Sequence, residues 1–204
     1  MTYEQEISYR DQILSKGSRG EKITAEDRLW LATHRVYNRI MGYPYLNVDI
    51  IQISPMTIYH VRIELEKCTY EGRILPVFAV PGGKGKINYR KPVRDLKGNV
   101  FQEKPTKMLG LFISGQDSGT EFMYCSDLGM LEVMFECEYY DENHKRTIRC
   151  TSGSSHHCAM LSERVAENKM RYRCKPPSTG DFDNFVFLVE WDSAAGSTGD
   201  GSVC

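Results

Sequence analysis

Residues 131–139 alternate with a period of two. Leu131, Val133, Phe135, Cys137 and Tyr139 stand between Glu132, Met134, Glu136 and Glu138. Successive side chains of a β-strand point to opposite faces, so a strand puts the first set on one side and the second on the other. A helix would scatter both sets around its circumference. Asp141-Glu142-Asn143-His144 supplies turn residues and Lys145–Thr151 returns, so 131–151 predicts a hairpin.

The same period recurs upstream. Val61, Ile63 and Leu65 alternate with Arg62, Glu64 and Glu66, and Arg73–Val80 follows a turn at Glu71-Gly72. The segment 58–80 therefore predicts a second hairpin. Further short β-rich runs lie at 48–53, 107–114, 120–125, 161–165, 169–174 and 185–191, with 107–114 and 120–125 expected to pair. The front of the chain differs. Tyr3, Ile7 and Leu14 fit one face of a short helix, and Leu29, Ala32, Val36 and Ile40 fit a second over 24–41, capped by Thr24 and stopped by Gly42 and Pro44.

About nine short strands after two helices predict an α+β chain, mainly an antiparallel β-sandwich or open barrel. The expected division is a helical segment over 1–45 packed on the sheet, a β domain over 46–192, and a disordered tail over 193–204. No strand–helix–strand alternation supports a doubly wound nucleotide fold. With 41% apolar and 26% charged residues, the chain has the composition of a globular domain.

The formal net charge of −1 conceals blocks. Residues 84–107 carry eight basic and two acidic side chains; 108–143 carry eight acids and no Lys or Arg; 144–175 carry eight basic and two acidic again. A uniformly basic nucleic-acid clamp is excluded, but local fields remain. Glu132, Glu136 and Glu138, with Asp141 and Glu142 at the turn, have two readings. They form a carboxylate row able to imitate phosphates, or a sheet face paired to the basic residues of 145–149. Lys84, Lys86, Arg90, Lys91 and Arg94 form a basic arm that suits a partner's acids or a phosphate backbone. The loop Val80-Pro-Gly-Gly-Lys-Gly-Lys-Ile87 lacks both the first glycine and the final hydroxyl of a phosphate loop.

Seven cysteines, an odd number with no Cys-x-x-Cys, suit a reducing compartment, and a cytoplasmic location is expected. The N-terminus has no signal-like apolar run, and no segment is long enough to span a membrane. Cys150, His156, His157 and Cys158, with Cys174, are candidate zinc ligands, and Cys158 beside a histidine is a candidate nucleophile. Asp117, Asp141, Asp181 and Asp183 could hold calcium at strand ends. His34 and His60 read as structural or surface residues. No catalytic motif is complete and no cofactor is expected. The expected function is non-enzymatic binding of another protein, of the type of a phage or mobile-element inhibitor or a toxin-immunity protein. The alternatives are a nucleic-acid module using the basic arm, and a zinc or thiol enzyme centred on 150–158.

Overall fold

The structure, a computed structural model, describes residues 3–24, 26–27, 30, 46, 48–81, 84–89, 93–94, 100–101, 105–111, 120–152, 158–177 and 180–194. Among these the front of the chain holds one α-helix, α1 (Tyr3–Ser18), rather than the two expected. Most of the segment expected as the second helix, 24–41, lies outside the described residues. Its start is visible: Asp27 N–H donates to Thr24 Oγ1 at 3.1 Å, and the Asp27 carboxylate pairs with Lys16 of α1 at 2.9 Å. The 195–204 part of the expected tail is likewise outside them.

The strands are β1 (Asp49–Gln52), β2 (Tyr59–Cys68), β3 (Ile74–Ala79), β4 (Gly85–Tyr89), β5 (Val93–Arg94), β6 (Val100–Phe101), β7 (Met108–Gly110), β8 (Thr120–Ser126), β9 (Met130–Asp141), β10 (Arg146–Thr151), β11 (Ala159–Ala166), β12 (Lys169–Lys175) and β13 (Phe185–Ser193). All their pairings are antiparallel. One sheet runs β1-β9-β3-β7, with β10 also on β9; β1 takes Met130–Val133 of that strand and β10 takes Glu136–Asp141. The other runs β11-β12-β13-β2-β8-β4, and β5-β6 form a separate pair.

The two larger sheets enclose one core. Leu131, Val133, Phe135 and Cys137 from β9 meet Phe122 and Tyr124 from β8, Tyr172 from β12, and Phe185, Phe187 and Val189 from β13. Alternation therefore assigned the faces of β9 correctly. Isolated bridges tie Leu46, ahead of β1, to Met160 of β11, and Thr106, ahead of β7, to Ile87 of β4. Among the described residues neither extends into a ladder, and the two sheets are not closed into a barrel. A polar tie also crosses the sandwich: the buried Asp49 of β1 accepts from the Tyr172 hydroxyl at 3.2 Å.

Two expected pairings are corrected. β2 and β3 do not form a hairpin: β2 lies between β13 and β8, while β3 lies between β9 and β7 in the other sheet. Likewise β7 pairs with β3, and β8 with β2 and β4. These connections cross between sheets. A polar turn has the same residues whether the chain returns beside itself or passes to the opposite layer. The hairpin of β9 and β10 forms as expected, with Cys137 opposite Cys150.

The outer face of the six-stranded sheet carries a ladder of opposite charges. Arg62 pairs with Glu190 at 2.8 Å, Lys169 with Glu190 at 3.2 Å, Arg171 with Glu66 at 2.8 Å, and Arg173 with Asp183 at 2.5 Å. Three basic residues of the 144–175 block are thus set against acids outside it, from Glu66 to Glu190. Such exposed pairs add little stability each, but they cancel much of the local field.

Candidate functional site

Glu132, Glu136 and Glu138 share one face of β9, and the fold gives several of the acids of this hairpin partners. Glu136 is buried and its carboxylate lies 2.6 Å from the Arg149 guanidinium of β10. Glu138 lies 3.4 Å from Arg73. Asp141 folds the turn: its carboxylate accepts from Asn143 N–H at 3.0 Å and lies 2.7 Å from His144 Nδ1, which holds its pKa below the usual carboxylate range. Glu142 is exposed. Glu132 is half-buried, and that burial raises its pKa.

A raised folded-state pKa means that the folded chain binds the Glu132 proton more tightly than the unfolded chain does. Stability therefore falls as pH rises from the ordinary glutamate range through the raised value. Glu132→Gln is expected to melt higher than the wild type at pH 7, with the gap closing toward acid pH. Thermal denaturation across that range checks this, and a pH-independent gap would place the effect elsewhere.

Of the basic arm, Lys84 is exposed and its carbonyl accepts from Asp127 N–H at 2.9 Å, while Lys86 is half-buried on β4 opposite Cys125. Arg94 lies on β5 opposite Val100. Arg90 and Lys91 are outside the described residues, as are His34, Asp117, His156 and His157. Asp181 accepts from Asp183 N–H at 2.9 Å, and Asp183 is engaged by Arg173. His60 sits on β2 opposite Met123 and Asp192.

Two features emerge that the sequence reading did not assemble. The first is a thiol triad. Cys137, Cys150 and Cys158 have sulfur separations of 3.5 Å (137 to 150), 3.9 Å (137 to 158) and 3.4 Å (150 to 158). None is in a disulfide, in contrast to Cys125. Among the described residues this is the one group of three or more cysteine, histidine or carboxylate side chains close enough to share a metal ion. Cys150 and Cys158 were candidates; Cys137 read only as an inward strand residue. Its signal lay in the hairpin register, which sets it opposite Cys150. Cys174 is buried in the same core and stands outside the triad. Hydrogen bonding from Cys150 and Cys158, then burial, pushes the Cys137 thiol far up. Burial and then these three thiols push nearby Tyr70 up to about 12.

The second feature is an open groove of about 840 Å³ at one end of the sandwich. Pro55 and Tyr59 come from the β1–β2 side, Arg164 and Asn168 from around the β11–β12 turn, and Trp191 and Asp192 from the end of β13. The Arg164 guanidinium lies 6.0 Å from the centre of the Trp191 ring. Asn168 braces the wall, its amide donating to Trp191 O at 3.0 Å and Asp192 Oδ1 at 2.6 Å.

No family model matches the chain, and neither a curated protein nor a solved structure matches it. No described helix is long and apolar enough to cross a membrane.

Proposed function

We propose that the chain is a non-enzymatic binding protein whose partner is another protein, docked in the groove beside Trp191. The observation that carries this reading is the lining of that groove. It sets the exposed Arg164 guanidinium 6.0 Å from the Trp191 ring in an open depression with hydrogen-bonded walls, where Trp191 and Tyr59, 7% and 9% exposed, belong to the core behind it and Arg164 is the anchor offered to a partner. Arginine is among the residues that most often anchor protein interfaces, because it combines a large contact area with directed donors. Asp192, Asn168 and Glu167 around Arg164 suit a polar segment of a partner rather than a lipid tail.

One further observation agrees. Glu136, Glu138 and Asp141 have partners within the chain, as the paired reading of this face expects, so they suit an external basic groove less well than a free carboxylate row would.

Affinity capture with the full chain, followed by titration of the purified partner, tests the proposal. Arg164→Glu is expected to weaken binding by roughly tenfold to a hundredfold, the range of a moderate anchor. Glu142→Lys on the distant β9–β10 turn is expected to leave it unchanged. The reverse pattern would move the contact to the acidic turn and end the groove reading.

A further inference from the structure

We propose that Cys137, Cys150 and Cys158 bind one soft divalent cation of the zinc class through their three sulfurs. Metal–thiolate bonds of about 2.3 Å in a tetrahedral site put sulfurs about 3.8 Å apart. The three separations here, 3.4, 3.5 and 3.9 Å, lie close to that spacing. Three converging sulfurs select zinc-class ions over magnesium or calcium, which prefer oxygen.

The fold explains why these three meet. Cys137 and Cys150 are cross-strand partners of the β9–β10 hairpin. Cys158 stands just before β11, which belongs to the other sheet. A bound ion would therefore fasten the hairpin of one sheet to the entry of the other. Cys137 and Cys158 have no exposed surface, whereas Cys150 is half-buried on β10. This enclosure suits a structural ion, with entry from the Cys150 side.

The chemistry balances without an oxidant. Each thiol that ligates loses its proton to solvent as its sulfur–metal bond forms, and no sulfur changes oxidation state. The cation also reverses the local electrostatics. Thiols that stay protonated beside one another become thiolates beside a dication.

The test uses the full chain, reduced and metal-free. Titration with cobalt(II) is expected to give a thiolate-to-cobalt charge-transfer band that saturates at one ion per chain and disappears on adding zinc. X-ray absorption of the zinc form should find three sulfurs around the metal. Cys150→Ala, at the half-buried position, is expected to bind at least about a hundredfold more weakly, since even indirect supporting groups are worth 10–100-fold. Cys68→Ser, exposed and outside the triad, should bind like the wild type. If Cys150→Ala does not fold, alkylation of the wild type decides the matter: zinc should slow labelling of the half-buried Cys150 and leave that of the exposed Cys68 unchanged. A folded, reduced wild type with no charge-transfer band and no retained zinc overturns the proposal. So does a folded Cys150→Ala that binds as tightly as the wild type, or zinc that leaves Cys150 as reactive as before.

Discussion

Gly129→Ala is expected to destabilise the chain by more than about 2 kcal/mol, because backbone strain and steric overlap add at one position. Gly129 sits at φ +63°, a conformation that costs an L-residue roughly 1–2 kcal/mol. A Cβ there would lie 2.4 Å from the Ile53 carbonyl oxygen and 2.9 Å from both the nitrogen and Cδ of Pro55. These are backbone and ring atoms that cannot rotate aside. Two inter-sheet connections meet here. β8 passes to β9 through Ser126–Met130, and β1 passes to β2 through Ile53–Ile58. They are tied by Ile53 N–H to Gly129 O and Met56 N–H to Ser126 O, both at 2.9 Å. Relieving the overlap would pull these bonds apart. Gly20→Ala is the control: φ is +73°, yet no atom lies within 4 Å of its Cβ position. It should show the backbone cost alone. Equal losses for the two variants in chemical denaturation would refute the account of this corner.

Phe122→Ala is expected to cost about 3–5 kcal/mol, the range for removing a buried aromatic ring. Phe122 of β8 and Phe78 of β3 come from opposite sheets, both are fully buried, and their ring centres lie 5.1 Å apart. Since a domain's whole stability is roughly 5–15 kcal/mol, either truncation removes a large share of it. The double variant should lose less than the two single losses added, by about 0.5–1.5 kcal/mol, because the ring pair is lost in either single variant. Tyr140→Ala, whose side chain is 60% exposed, should stay within about 0.5 kcal/mol of the wild type. Urea or guanidinium titrations measure all four. Strict additivity of the Phe78 and Phe122 effects would mean that the rings do not interact across the sandwich.

Much of the fold was legible because period-two alternation is a local signal. The inward residues of β9, the β9–β10 hairpin and the first helix all follow from neighbours in sequence. The hairpin expected over 58–80 failed for a physical reason. Both faces of β3 are buried: Ile74 and Phe78 face the main core, while Leu75, Val77 and Ala79 join Met134 in a second apolar cluster on the other side of the sheet. A strand buried on both faces carries little sign of which sheet will hold it. The acidic row had the same weakness. Sequence showed three glutamates on one face, but Arg73, which approaches Glu138, lies 65 positions away.

The thiol triad marks the boundary most clearly. Alternation places Cys137 inward, and turn chemistry at Asp141–His144 sets the register that brings Cys150 opposite it. Both are short-range consequences of side-chain size, hydrogen bonding and backbone preference. Cys158 joins them only because the chain crosses to the other sheet after β10, and that crossing depends on the two sheets closing over a shared core. The Trp191 groove has the same origin, since its walls come from three separate parts of the chain. Local chemistry settled which way side chains face and where one hairpin turns. Burial of both sheets against each other, a long-range free-energy balance, settled which distant residues became neighbours.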